Sequence, residues 1–182
     1  MSFLLNPYAF LAAGGDFESI ATVTVSGSTT STITFSSFGS YQHLQLRGIG
    51  KTQRGISGDA LNLRFNGDTG SNYRSHYLAG DGGSVSAGSV SGTFIDVAGA
   101  TGDSGATSIW GAFLIDILDY SSTTKTTTTR MFTGRDLNGS GVAYLLSGLW
   151  TSTSAVTSFT LNPQNTTYFK ADTTFALYGV KA

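Results

Sequence analysis

The chain of 182 residues has no cysteine, only two prolines and few charged residues. Without cysteine it cannot form a disulfide, a thiolate nucleophile or a cysteine-ligated metal site. Charged residues make up 12% of the chain, and the formal net charge is −1. Nucleic-acid binding calls for clustered Lys and Arg, so we expect no nucleic-acid partner. The fold must rest on side-chain packing, alone or together with association with other copies.

Long apolar runs are missing as well. The first apolar segment, Met1–Gly15, is too short to span a membrane, and Asn6-Pro7 interrupts it. It also lacks the basic region of a signal peptide, so we expect no membrane partner. What the chain has instead is 24 glycines, many Ser and Thr residues, and 40% hydrophobic residues. This composition is typical of one domain built from short strands and many turns.

Large apolar side chains crowd the first segment of the chain. They are Phe3, Leu4, Leu5, Tyr8, Phe10 and Leu11. Such side chains should not stay in water, and two interpretations remain open. The segment packs on its own domain, or it docks on a partner or a neighbouring subunit with Gly14-Gly15 as the hinge. We therefore divide the chain into an apolar N-terminal arm, residues 1–15, and a β-sandwich domain, residues 16–182.

Alternating apolar and polar residues predict an all-β fold without helices. We expect roughly ten strands, at the 8–12-residue spacing typical of an antiparallel sandwich or barrel. The segments are Phe17–Val25, Ser31–Ser36, Tyr41–Ile49, Leu61–Phe65, Tyr73–Leu78, Thr93–Val97, Ser108–Tyr120, Lys125–Arg135, Val142–Trp150, Ser154–Leu161 and Thr173–Lys181. The first two are predicted to form a hairpin. Ser108–Tyr120 is the most hydrophobic run, and we expect a central strand buried on both faces.

The densest polar cluster lies within Leu61–Tyr77. Asn66-Gly67 turns the chain after one strand, and the return strand starts at Tyr73, which predicts a second hairpin with a polar tip. The candidate surface recognition loop consists of Asn66, Asp68, Asn72, Tyr73 and His76. The glycine-rich segment Ala79–Gly92 is predicted to be an exposed loop.

The metal-binding signals are weak. Asn66, Asp68, Gly70 and Asn72 alternate as in a calcium loop, but no bidentate carboxylate follows at the right distance. Side chains that bond their own turn explain the pattern better. Two histidines are too few for a zinc centre. We therefore expect no metal and no cofactor.

No catalytic constellation emerges from the sequence. Asp116 and Asp119 are three positions apart in one predicted strand, so they should face opposite sides and cannot act jointly on a glycosidic bond. We expect Asp116 to be buried and paired with Arg64, Arg130 or His76.

Carbohydrate binding stays open as a non-catalytic alternative. Stacking faces could come from Tyr73, Tyr77, Trp110, Tyr144, Trp150 and Tyr168. Asn and Asp side chains could then bind sugar hydroxyls. Aromatic residues of a β-sandwich are nevertheless more often part of its core.

Seven short segments spread along almost the whole chain form a recognisable series. They are T-I-T-F-S-S-F around Phe35, Y-Q-H-L-Q-L-R at Tyr41–Arg47, L-R-F-N-G-D-T-G-S-N-Y at Leu63–Tyr73, I-D-I-L-D-Y at Ile115–Tyr120, D-L-N-G-S-G at Asp136–Gly141, S-G-L-W at Ser147–Trp150 and F-A-L-Y-G-V-K at Phe175–Lys181. In this order the sequence resembles small structural proteins of tailed bacteriophages, particularly marine and cyanobacterial ones. It also resembles a related β-domain of phage tail-fibre and appendage proteins.

The resemblance implies a virion component with a jelly-roll-like fold that is oligomeric and often trimeric, and it implies no catalytic residues. Many tail-fibre members carry a long shaft segment upstream, whereas about fifteen residues precede the first strand here. The first hypothesis is therefore a non-enzymatic capsid decoration or adaptor protein that self-associates and docks on other virion proteins through its arm. The alternative is a tail-fibre or receptor-binding module that recognises host surface glycans. A glycan-degrading enzyme ranks last.

Overall fold

A computed structural model describes residues 16–181 and shows an all-β protein. The predicted arm, with Phe3, Leu4, Leu5, Tyr8, Phe10 and Leu11, lies outside the described residues. Twelve strands follow one another: β1 Phe17–Thr24, β2 Ile33–Ser36, β3 His43–Gly50, β4 Gly58–Phe65, β5 Tyr73–Gly80, β6 Val85–Gly92, β7 Ile95–Thr101, β8 Gly111–Leu118, β9 Thr127–Asp136, β10 Gly141–Trp150, β11 Ser158–Pro163 and β12 Thr174–Val180.

The strands form two antiparallel sheets. The larger sheet has eight strands in the order β1-β12-β3-β8-β9-β10-β5-β6, and the smaller has four in the order β2-β11-β4-β7. The chain changes sheet at every connection except β5 to β6, β8 to β9 and β9 to β10. The predicted all-β sandwich is confirmed, with twelve strands rather than about ten. The more specific jelly-roll arrangement stays a prediction.

The core lies between the sheets because each strand turns its apolar positions inward. In β4 the side chains of Leu61, Leu63 and Phe65 are fully buried, as their alternation predicts. Opposite them, the inner face of the larger sheet contributes residues such as Leu46 and Ile115, which are also fully buried. Each such side chain contributes about 1.5–3 kcal/mol of hydrophobic stabilisation.

Both predicted hairpins are wrong. β1 pairs with β12 in the larger sheet, while β2 pairs with β11 in the smaller one. In the same way β4 pairs with β11 and β7, whereas β5 pairs with β10 and β6. Asn66 and Gly67 do turn the chain with positive φ, of 51° and 69°. The loop that they begin carries the chain across to the other sheet, because each strand's apolar face needs a facing sheet.

Two further expectations also need correction. Ala79–Gly92 is not a loop: it contains β6, which pairs with β5 along its whole length through a tight turn at Asp81–Ser84. Backbone hydrogen bonds hold this edge strand although it has almost no large side chains. β8 is central, as expected, but it is not buried on both faces. Its Ala112 is exposed and Leu114 is half-buried on the outer face.

The unequal size of the two sheets shapes the molecule. β7 is the edge strand of the smaller sheet and packs on the inner face of the larger one. Side chain–backbone hydrogen bonds secure it: Asp96 N donates to Ser75 Oγ at 3.0 Å, and Thr133 Oγ1 donates to Ala98 O at 2.7 Å. The larger sheet continues past β7, so part of its inner face at β10, β5 and β6 stays open.

Candidate docking surface and inter-sheet cleft

The predicted recognition loop is a closed turn held by Asp68. Its carboxylate accepts hydrogen bonds from Trp150 Nε1 at 2.7 Å, Asn72 Nδ2 at 2.9 Å and Gly70 N at 2.8 Å. The bond from Trp150, followed by that from Asn72, lowers the pKa of Asp68 below its ordinary value. These bonds hold the Asp68 carboxylate against its own loop and Trp150. Within residues 16–181, no group of three or more His, Asp or Glu residues could hold a metal.

The other loop residues do not form one recognition surface. Asn66 donates to Ala155 O at 2.8 Å and accepts from Thr157 N at 2.8 Å, so it joins the loop to the segment before β11. Tyr73 is fully buried, and its hydroxyl lies 3.1 Å from Phe65 N and from Asp68 O. The prediction of Tyr73 as a surface residue is therefore wrong, because its ring belongs to the core. His76 is exposed on the outer face of β5.

The predicted pairing of Asp116 is confirmed for one of its three candidate partners. Asp116 is buried, and its carboxylate accepts from Arg130 Nη2 at 2.8 Å and Gln45 Nε2 at 2.7 Å. Asp119 lies beyond the end of β8, with φ at 48°, and binds Lys125 Nζ at 2.7 Å. Each carboxylate thus has its own cation.

A row of apolar side chains, three exposed and one half-buried, crosses the outer face of the larger sheet. Leu114, Phe132, Leu145 and Leu78 stand in direct register on β8, β9, β10 and β5. Phe132 is 60% exposed, Leu145 53% and Leu78 49%. We call these four residues the outer row. Single exposed apolar residues are normal, but a contiguous set marks an interaction site.

A groove runs beside the outer row. The neighbouring positions on the same four strands are Ala112, Gly134, Ala143 and Gly80, also in register. Because these side chains are small, the surface sinks between the outer row and Trp110 into a groove of about 850 Å³. The larger residues on one side and the small residues at the base give this outer groove a largely apolar lining.

A second depression, the inter-sheet cleft, lies on the opposite face where the smaller sheet ends. It has a volume of about 580 Å³. Tyr77 and Tyr144 form its floor, and Asp96 on β7 forms one wall together with Arg135 at one end. A Cβ atom at Gly88 of β6 would lie 2.9 Å from the Tyr77 ring, so a larger residue there would displace this ring.

Two polar groups in this cleft lack partners. Asp96 Oδ1 and Arg135 Nε are both buried, and neither has a hydrogen-bond partner within the described part of the chain. Burial raises the pKa of the Asp96 carboxyl above its ordinary value. A hydrogen bond between this carboxyl and the Gln164 side chain lowers the pKa, but it offsets the effect of burial only in part. Buried polar groups are nearly always satisfied, so a donor and an acceptor left open in one cleft need an explanation.

Sequence reasoning found some of these residues and missed others. It selected Tyr77, Tyr144 and Trp110 among six possible stacking aromatics, but it did not select the outer row, Asp96 or Arg135. The sequence did contain a signal for Phe132. It follows Thr128 and Arg130 on the polar face of its strand, where a large apolar residue is unexpected. Asp96 and Arg135 carried none, since only the fold brings β7 and β9 together.

Within residues 16–181 no helix is long and apolar enough to cross a membrane. Comparison of the chain with known protein families, with curated proteins and with solved structures finds no match.

Proposed function

We propose that this chain is a non-enzymatic structural protein of a bacteriophage virion that works by protein–protein docking. Its role is that of a capsid decoration protein or surface adaptor. The observation that carries the docking role is the outer row, four apolar side chains in register on the exposed face of the larger sheet. The assignment to a bacteriophage rests on the resemblance of the seven sequence segments.

The surroundings of the outer row suit a protein interface. A row of polar residues lies next to the outer row, two positions away on each of the same four strands. It consists of Asp116, Arg130, Ser147 and His76, which are also in register. An apolar centre bordered by polar and charged side chains is the usual anatomy of a specific interface. The groove beside the row adds the concave shape that receives an anchoring side chain.

The connectivity of the strands is a second support. Setting aside β5, β6, β9 and β10, the remaining eight strands divide into two four-stranded sheets, and the chain changes sheet at every step between them except from β4 to β7. We infer that these eight form a jelly roll, a fold that recurs in viral capsid proteins. On this view the β5–β6 and β9–β10 hairpins are additions that widen the larger sheet. They carry Phe132, Leu145 and Leu78, so the same additions create the docking surface.

Self-association follows from the same surface. Two or more copies that bury the outer row remove apolar area from water without leaving charges unpaired, and closed symmetry then limits the assembly. We propose a homo-oligomer, with a trimer favoured. The arm residues Phe3–Leu11 would dock on a neighbouring copy or on another virion protein. Repetition on a symmetric particle adds avidity to each weak contact.

The oligomeric state tests this proposal. We expect the full chain to form a defined oligomer by light scattering and native mass spectrometry, and Phe132→Asp and Leu145→Asp to shift it to monomer. Thr128→Asp is the matched control, because Thr128 is exposed on the same face of β9. All three variants should keep the circular dichroism spectrum and the cooperative unfolding of a folded domain, since the substituted side chains are exposed within one subunit. Oligomers that persist in both outer-row variants would exclude this surface, and a wild-type monomer at high concentration would exclude self-association.

A further inference from the structure

We propose that the inter-sheet cleft is a binding site for one unit of a neutral saccharide, held by Asp96 and Arg135. This function goes beyond protein docking, and it uses a part of the molecule that faces away from the outer row. It also places glycan recognition at a site other than the Asn66–Asn72 loop, whose polar groups bond within the protein.

The position and size of the cleft suit a small ligand. The larger sheet extends past β7, so Tyr77 and Tyr144 face an opening rather than the smaller sheet. A volume of about 580 Å³ lies within the range of small-molecule sites. The turns around Ser84 and Ser140 border the opening and add hydroxyl groups to its rim.

The two unpartnered atoms specify the chemistry of the ligand. Asp96 Oδ1 can only accept a hydrogen bond when the carboxyl is ionised, and Arg135 Nε can only donate one. A hydroxyl group does both, so the hydroxyls of a sugar ring match the chemistry of both atoms. An apolar ligand would leave both atoms buried and unpaired, which is unfavourable.

The charges in the cleft favour a neutral molecule. Asp96 and Arg135 have opposite charges, and neither forms an ion pair within residues 16–181. The third charged residue of the lining, Asp81, is already occupied by its own turn. Its carboxylate accepts from Gly83 N at 2.9 Å, Ser84 N at 2.6 Å and Ser84 Oγ at 2.9 Å. With two aspartates and one arginine the lining carries a formal charge of about −1, which is too small to select a strongly charged ligand.

The floor of the cleft suits a sugar ring as well. Tyr77 and Tyr144 are half-buried and pack against the core, so their rings are fixed in place. Their exposed surfaces offer apolar area next to hydroxyl groups. The C–H faces of a pyranose ring are apolar and its edge is polar, which matches a floor of tyrosines beside an Asp–Arg pair.

Solution NMR of the full-length protein tests the proposal. ¹H–¹⁵N spectra are recorded while D-glucose, D-galactose or N-acetyl-D-glucosamine is added, with glycerol as a probe that has hydroxyls but no ring. We expect at least one sugar to shift the resonances of Tyr77, Asp96 and Tyr144 in a saturable way. Asp96→Asn and Arg135→Gln should each weaken that affinity at least about tenfold.

Matched variants separate binding from a structural role. Asp136→Asn and Arg130→Gln change the same residue types on β9, but neither residue projects into the inter-sheet cleft, and we expect unchanged affinity. Thermal unfolding of Asp96→Asn and Arg135→Gln checks that the fold is intact. Shifts that are absent with all three sugars, equal with glycerol, or unchanged in Arg135→Gln would each overturn the proposal. A cleft filled by water alone gives the first of these results.

Discussion

At the scale of single residues, Asp68 has the clearest structural role in the chain. Its carboxylate joins the loop after β4 to the indole of Trp150 at the end of β10, across a distance of 2.7 Å. Trp150 in turn stacks on Tyr73, with ring centroids 6.4 Å apart. One polar side chain thus fixes the orientation of two large aromatic residues at one end of the core.

This arrangement predicts a pH-dependent stability. The pKa of Asp68 is lowered, chiefly by the bond from Trp150, so the ionised form favours the folded state. Its contribution is present above the ordinary pKa of Asp and is lost as pH falls through the lowered value. We expect Asp68→Asn to reduce the unfolding free energy at neutral pH by about 1–2 kcal/mol, measured by urea denaturation. The difference from wild type should shrink in strongly acidic buffer.

A control residue tests that interpretation. Asp172 is exposed and has φ at 69°, a conformation that Asn also tolerates, so Asp172→Asn should change stability little at any pH. If Asp68→Asn were equally neutral, or if its effect grew in acid, the assigned role of the Asp68 carboxylate would be wrong.

At the scale of whole elements, the contact between β7 and β8 is a tight constraint on how the two sheets pack. Gly111 begins β8, and a Cβ atom there would collide with the backbone carbonyl of Gly99 on β7. Backbone cannot move aside as a flexible side chain does. The smaller sheet can therefore lie as close to β8 as it does because position 111 is glycine.

A substitution to alanine tests this packing. In an ordinary strand Gly→Ala is favourable, because alanine loses less conformational entropy on folding. We expect the opposite at this position: Gly111→Ala should lower the unfolding free energy by about 1–3 kcal/mol, since the sheets must separate or distort. Gly55→Ala is the control, because nothing lies within 4 Å of a Cβ atom there. Equal stability of the two variants in denaturant unfolding would contradict the predicted collision.

At the scale of the whole molecule, residues 16–181 already contain both sheets and a continuous core. The arm, residues 1–15, lies outside the described residues. If it docks on a neighbouring subunit or on another virion protein, its loss should affect assembly and leave the fold intact.

Deletion of Met1–Gly14 tests that role. We expect the shortened protein to keep the circular dichroism spectrum and the cooperative unfolding of the full chain, because residues 16–181 contain both sheets and a continuous core. Its incorporation into virions, measured by mass spectrometry of purified particles, should be lost. Normal occupancy of the particle by the shortened protein would show that the arm does not dock it.

Composition and residue alternation were enough to predict the fold class and the direction of most side chains. In β4 and β12 the period of two assigns the inward residues correctly, since alternation reports which face of a strand avoids water. The lack of cysteine, together with glycine-rich turns and apolar alternation, required a packed β-sandwich. Asp116 was assigned to the right partner set because a carboxylate in an apolar strand needs a cation.

The pairing of the strands could not be predicted in the same way, because it depends on contacts between distant parts of the chain. Alternation describes one strand against water and contains nothing about its neighbour, so both predicted hairpins failed although most of their strands were correct. For the same reason β6 was missed: its order comes from backbone bonds to β5, not from its own side chains. The outer row and the Asp96–Arg135 pair exist only once distant strands are in register. A functional surface built from several strands is thus a property of their pairing, which long-range packing sets.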